Sequence, residues 1–195
     1  LLLAAGPAGA ADWSSVTKDG VVIRVRELPD LAGAREFWAE GDLAATLPGL
    51  RTALQDHAEF RRWMPRVKES RVLSEFPGGR MTYTLLDLPV ISNRDYVLRV
   101  EDVNGQSEQG EETYVQRWAL EAGVLPERRG VVRLKRNEGS WSFTRLDEGR
   151  VHFTYRFIAE PGGSIPGFLA GVGQTDAVLE TVRALEARAK QLVAK

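Results

Sequence analysis

The chain has 195 residues, 26 Lys and Arg against 27 Asp and Glu, two histidines, no cysteine and 43% hydrophobic residues, which fits one globular domain able to bury a sizeable core. A net charge of -1 removes any general electrostatic case for nucleic acid or an anionic membrane as the principal partner. Disulfides, thiolate zinc sites and a cysteine nucleophile are excluded, and His57 and His152 alone cannot build a three-histidine centre, so neither a metal nor a cofactor is expected.

The opening run, Leu1 to Ala11, is uncharged, and its apolar residues give way to small ones. It resembles the back half of a secretory signal peptide, with Ala8-Gly9-Ala10 as an A-x-A cleavage site. The expected domain is therefore 12–195, preceded by a leader remnant or tail at 1–11, and working in the periplasm or outside the cell. A cytoplasmic protein with a flexible tail is the alternative.

From Val16 to Leu43 the pattern is strand-like, with Val21–Arg26 and Arg35–Glu40 alternating after the turn residues Asp19-Gly20 and 30–33. Leu47–Trp63 switches to helical spacing. Leu50, Leu54, His57 or Ala58 and Phe60 share one face, Arg51, Gln55, Glu59 and Arg62 the other, and Pro65 ends the run. Strand-sized segments follow at 67–76, 80–88, 94–103, 112–120, 130–136, 140–146 and 150–159. Gly- or Pro-bearing turns separate them, including Pro77-Gly78-Gly79, Asn104-Gly105 and Glu138-Gly139, as in an antiparallel meander. An amphipathic helix from about Pro166 to Val193 closes the chain, with Phe168, Val172, Leu179, Val182, Leu185, Ala189 and Leu192 recurring at three and four residues. One curved sheet gripping that helix is the simplest way to bury both apolar faces, and such a grip favours an enclosed ligand cavity.

The most specific local string is Leu88-Pro89-Val90-Ile91-Ser92-Asn93-Arg94-Asp95-Tyr96-Val97. An apolar loop there leads into an Arg-Asp pair at a strand start, where charge-assisted hydrogen bonds can pin the loop. The string resembles the START (steroidogenic acute regulatory protein-related lipid transfer) family of the helix-grip, Bet v 1-like superfamily. Trp63-Met64-Pro65-Arg66-Val67 is similar to that family's W-x-P segment. Gly139-Ser140-Trp141-Ser142-Phe143 is similar to a late-strand motif, and 161–166 to the lead into the last helix. The likeness covers about Asp12 to Lys195 and is that of an exported bacterial-type member. It implies an α+β helix-grip fold, a curved antiparallel sheet wrapped around a long C-terminal helix, with a hydrophobic tunnel for one lipid-like molecule. Access would lie between the 86–92 loop and the final helix. Leu88, Pro89, Val90, Ile91, Gly167, Phe168 and Gly171 are thus the expected gate.

Strand parity supplies lining residues without the resemblance. With Arg99 facing water, Tyr96, Leu98 and Val100 face inward. With the hydroxyls of Thr82 and Thr84 turned out, Met81, Tyr83 and Leu85 face inward. With His152 and Arg156 outside, Phe153, Tyr155 and Phe157 lie inside. Val132 and Leu134 as the inward pair carry Arg136 to the same face, where it either fixes a headgroup or pairs with a carboxylate at the rim. Phe60 and Trp63 border the tunnel by family likeness, and Val67, Gln116, Trp118, Ala177 and Thr181 complete the expected lining. Sterol-carrying relatives place a buried acid and base in the strands flanking the Asn93–Asp95 turn. The best-matching positions, Met81 and Val100, are apolar. Either the ligand differs or Arg136, Tyr83, Tyr155 or Gln116 does the polar work.

The expected function is that of a non-catalytic carrier: a monomer that binds one lipid, sterol or other hydrophobic small molecule, touches membranes transiently and contacts no nucleic acid. A polyketide aromatase or cyclase using Tyr83, Tyr96, Tyr155 and Arg136 is the enzymatic alternative. A module that docks a protein partner through Val90 and Ile91 is a third reading.

Overall fold

The computed structural model describes residues 12–31, 33–88, 91–160 and 174–193. Strands β1 (Ser14–Lys18), β2 (Val21–Glu27) and β3 (Arg35–Leu43) open the chain. Asp19 and Gly20 both adopt positive φ (50° and 76°), the backbone that lets a two-residue hairpin follow the right-handed strand twist. Thr46 then caps α1 (Leu47–Gln55), its Oγ1 accepting from the Gly49 amide at 3.1 Å, with Pro48 in the first turn where no amide is needed. The helical spacing read as one element breaks at Asp56. A single 3-10 turn, His57–Glu59, re-aims the chain into the one-turn helix α2 (Phe60–Trp63).

Strands β4 (Val67–Phe76), β5 (Gly79–Leu86), β6 (Arg94–Gln106), β7 (Glu112–Leu120), β8 (Val132–Arg133), β9 (Arg136–Arg145) and β10 (Val151–Glu160) follow, then helix α3 (Gln174–Val193). The strands form one 10-stranded sheet in the order β1-β2-β3-β10-β9-β7-β6-β5-β4, with β8 pairing in parallel beside the start of β6. This is the expected α+β helix grip. Among the described residues no helix is long and apolar enough to cross a membrane.

Two expected turns are not turns: Asn104-Gly105 lies inside β6, paired with Tyr114 and Thr113, and the chain reverses at 107–111 instead. Glu138-Gly139 sits inside β9, and Gly139 is there because of a close approach: a Cβ would fall 2.4 Å from Arg156 O, 2.6 Å from Phe157 Cβ and 2.7 Å from the Trp118 ring. Two of those obstacles are held by β10 and cannot swing aside. Gly139→Ala is expected to cost about 1–3 kcal/mol by overpacking, read as a lowered urea midpoint.

The main core lies between the sheet and the helices. Val178, Val182, Leu185 and Ala189 of α3 meet Leu47, Leu50, Ala53 and Leu54 of α1 and Ile23, Ala39, Trp141, Phe143 and Phe153 of the sheet. Gly49 lets α1 come close, since its Cβ would lie 2.9 Å from Ala189 O. A second, smaller cluster of Tyr83, Leu85 and Val97, flanked by Leu73, Met81, Leu125 and Val131, forms apart from it. Residues 121–131 cover this outer patch. Arg128 ties them to Glu69 (2.9 Å) and Tyr83 (2.8 Å), and Arg133 ties them to Asp95 (2.7 Å) and to the carbonyls of Leu125 and Pro126.

Met81, Tyr83 and Leu85 therefore face away from α3, correcting the inward assignment. β5 is buried on both faces at this point, so the threonine hydroxyls were a false guide: Arg80, Thr82 and Thr84 form the concave side.

Candidate functional site

Directly paired residues share a face of the sheet, so the register traces the concave wall. One row runs Arg80, Val100, Trp118, Gly139, Phe157, Phe37, and the next Asp102, Gln116, Trp141, Tyr155, Ala39. Thr82 stands beside Leu98 and Thr84 beside Tyr96. The β10 half is aromatic: Trp141 stacks on Tyr155 with centroids 3.7 Å apart, and Tyr155 leans on Phe157 at 4.7 Å.

Tyr96 and Tyr155 are set deep in the grip. Burial, partly offset by a hydrogen bond with Thr84, pushes the Tyr96 hydroxyl up to about 12. Burial also raises that of Tyr155, which lies close enough to feel the charge Tyr96 would carry. As whole residues, Tyr96, Tyr155, Trp118 and Phe157 are half-buried. All four stand on the concave wall, and Trp118, Tyr155 and Phe157 pack against the edge of the main core.

The β4–β6 end of the wall is polar. Arg80 donates from Nη1 to Asp102 Oδ2 at 2.7 Å, and each side chain is only 10% exposed. Asp102 Oδ1 also accepts from the Tyr114 hydroxyl (2.5 Å) and from Gln116 Nε2 (3.0 Å), which reaches on to Leu54 O. Burial opposes the Asp102 charge, but these three donors outweigh it and hold the carboxyl below its usual value. Tyr114 is pushed far up, by burial first and by its bond to Asp102 second. His57 accepts from Arg80 Nε at its Nδ1 (3.2 Å) and stacks on Phe60 at 4.2 Å, and Trp63 meets Phe60 edge-on at 5.2 Å. Burial, then the Arg80 charge, drives the His57 pKa down to about 3, so the ring is neutral.

Four polar atoms around this end are buried without a partner in the protein: Arg80 Nη2, Thr82 Oγ1, Ser70 Oγ and Trp63 Nε1. Ser70 pairs with Thr84, which puts it on the same wall, and α2 packs against β4. Unpartnered buried donors are costly. A ligand oxygen would satisfy them. Among the described residues no group of His, Asp or Glu is arranged to hold a metal ion.

Of the expected lining residues, Tyr96, Leu98, Val100, Gln116, Trp118, Tyr155 and Phe157 share the concave wall. Val67, paired with Leu86, starts β4 half-buried. Leu134 is buried just past β8, Phe60 is buried, and Trp63 is half-buried. Phe153 is fully buried within the main core. Ala177 and Thr181 are half-buried on α3, with the Thr181 hydroxyl spent on Ala177 O (2.9 Å).

Arg136 is corrected: it donates to Glu138 Oε1 (2.6 Å), two residues along β9 and on the face opposite Gly139. The parity counted from Val132 and Leu134 does not reach it, because Lys135 separates β8 from a new strand. At the gate, Leu88 and Ile91 are half-buried, and Arg94 donates to Ser92 O. Asp95 receives Tyr83 (3.2 Å) and Arg133 (2.7 Å), anchoring the start of β6. Pro89, Val90, Gly167, Phe168 and Gly171 lie outside the described residues, as does the leader-like run Leu1–Ala11.

Sequence reasoning missed Arg80, Asp102, Thr82 and Ser70. One signal was present: extending the inward set Tyr96, Leu98, Val100 by a further step of two lands on Asp102.

Residues 52–186 match the family model described as polyketide cyclase/dehydrase and lipid transport. The chain is 28% identical over 162 residues to mouse phosphatidylcholine transfer protein, covering 82% of this chain and 75% of that protein. A STAR-related lipid transfer protein fragment from Xanthomonas axonopodis superposes with a TM-score of 0.77 at 30% identity, covering 91% of this chain and 98% of that one. An aromatase/cyclase from Streptomyces sp. R1128 shares the fold at a TM-score of 0.58 and 13% identity, over 82% of this chain and 96% of that one.

Proposed function

Because the chain belongs to the polyketide cyclase/dehydrase and lipid transport family, as a START-type, Bet v 1-like member, we propose that it holds one hydrophobic molecule with a single polar end inside the grip and carries it between membranes unchanged. The observation that carries this reading is the pairing, on one concave wall, of half-buried aromatic residues with buried donors that have no protein partner. An alkyl or ring body against Trp118, Tyr155 and Phe157 would remove several hundred Å² from water, on the order of 10 kcal/mol gross at ~25 cal/mol per Å². Release into free water is then slow, and unloading needs transient contact with an acceptor membrane. The leader-like Leu1–Ala11 supports work outside the cytoplasm.

A cyclase reading finds less support. The hydroxyls of Tyr96 and Tyr155 are pushed up and stay protonated, and Tyr83 and Arg136 point away from the interior.

The test is native mass spectrometry and solvent extraction of the purified chain, followed by transfer of a fluorescent lipid between vesicles. A co-purifying lipid and protein-dependent transfer are expected. An empty protein that takes up nothing from a bacterial lipid extract would overturn the reading. Thr82→Val tests the polar end directly. Because the Thr82 hydroxyl is already orphaned, apo stability should hold or rise by up to about 1–3 kcal/mol, while ligand binding weakens. Denaturant unfolding alongside lipid titration separates the two effects.

A further inference from the structure

The guanidinium of Arg80 has three nitrogens, and two are engaged inside the protein: Nε on His57 and Nη1 on Asp102. Arginine grips a phosphate or carboxylate through one of two forks, Nε with Nη2 or Nη1 with Nη2. In each fork one nitrogen is engaged, and Nη2 alone is unpartnered. The charge is engaged too. Asp102 neutralises Arg80, and Tyr114 and Gln116 add donors but no charge.

His57 decides this state. Its ring is held between the Phe60 face and Arg80, and Nδ1 can accept the Nε proton only while the imidazole is neutral. The groups around it are few. Arg80 comes from β5 and Asp102 from β6. Ser70 of β4, the strand packed on the 3-10 turn, is uncharged. Arg188 of α3 is occupied with Asp56 at 3.7 Å. The buried cation of β6, Arg94, bonds Ser92 O at the far end of the strand from Asp102, roughly 26 Å away at about 3.3 Å per residue.

We propose that His57 is a positioning residue that sets the charge class of the ligand: by occupying Arg80 Nε it leaves a neutral cluster with one free nitrogen, Nη2, matched to an uncharged oxygen such as a hydroxyl or ester carbonyl and mismatched to an anionic head. The orphaned hydroxyls of Thr82 and Ser70 extend the same preference, since a neutral oxygen can be served by single donors. A buried phosphate or carboxylate would find no unneutralised cation in this cluster, and uncompensated burial of a charge is strongly unfavourable. This inference rests on the carrier reading above.

The test compares two fluorescent probes with the same labelled acyl chains, a diacylglycerol and a phosphatidic acid, titrated into the full chain at neutral pH. The wild-type protein should bind the diacylglycerol at least about ten-fold more tightly, a difference near 1.4 kcal/mol. His57→Phe keeps a ring against Phe60 but removes the acceptor, and should narrow the ratio to within about three-fold. His57→Asn, whose Oδ1 can stand in for Nδ1, should restore it. Asp102→Asn leaves Arg80 charged and should invert the preference toward phosphatidic acid. A purely structural role for His57 would weaken both probes alike and leave the ratio unchanged, overturning the proposal. Equal binding, or tighter phosphatidic acid binding, by the wild-type protein overturns it without any variant having to fold. Binding of neither probe overturns the carrier reading itself.

Discussion

Asp102→Ala is expected to cost about 3–5 kcal/mol of unfolding free energy, among the largest effects of any single substitution in this chain. The carboxylate collects three donors from two neighbouring strands, Arg80 Nη1, the Tyr114 hydroxyl and Gln116 Nε2. Truncation strands all three, and one is a buried cation. Most of the cost is the desolvation of the orphaned groups rather than the intrinsic worth of the pair. The double variant Asp102→Ala with Arg80→Met should therefore recover a large share of it. Urea unfolding of the two singles and the double, closed as a thermodynamic cycle, measures this. A double variant no more stable than Asp102→Ala alone would refute it.

Stability should fall with acid beginning near pH 6.5, well above the range where carboxylates titrate. His57 protonates near 6.5 in the unfolded chain, but burial and the Arg80 charge hold it down to about 3 when folded. Between those values the unfolded state binds the extra proton, so the folded state is favoured at higher pH and loses that advantage as pH drops. The slope approaches about 1.4 kcal/mol per pH unit, accumulating on the order of 3–5 kcal/mol by pH 3. Asp102, whose folded pKa lies below its ordinary value, acts in the same direction but only below about pH 4. Against burial, Lys190, the Ala44 amide and Arg183 hold Glu186 below its ordinary value, so it joins in below about pH 5.5, and the interval from about pH 5.5 to 6.5 isolates His57. His57→Asn should flatten the unfolding free energy across it, measured by urea titration at half-unit steps. A wild-type profile already flat there would exclude the mechanism.

How legible the site was follows from what each kind of residue needs. Tyr96, Leu98 and Val100 were readable because β6 has a water-facing Arg99 to set the parity, and β10 offered His152 and Arg156 in the same way. β5 offered no such marker. Buried by the concave interior on one side and by residues 121–131 on the other, it carries Arg80 and Thr82 where apolar residues were expected, and Tyr83 and Leu85 where polar ones were. Arg136 failed for a related reason: the alternation was counted across Lys135, where one strand ends and another begins. Gly139 signalled a turn in the sequence, whereas its role is to make room for the Trp118 ring and the β10 backbone.

The sequence by itself determined the grip. Alternation with regularly placed turns specified a meander, the three-and-four spacing of Leu179, Val182, Leu185 and Ala189 specified a helix with one buried face, and an antiparallel sheet and such a helix have few ways to hide both surfaces. The Leu88–Val97 string carried the family as well. Only the tertiary structure decided which face of β5 is inside and that Arg80, Asp102 and His57 meet, since they come from two strands and a 3-10 turn as far as 45 positions apart. Periodicity is local and reports each element's own faces. Which face is enclosed, and which polar atoms are left without partners, depends on what packs across from it.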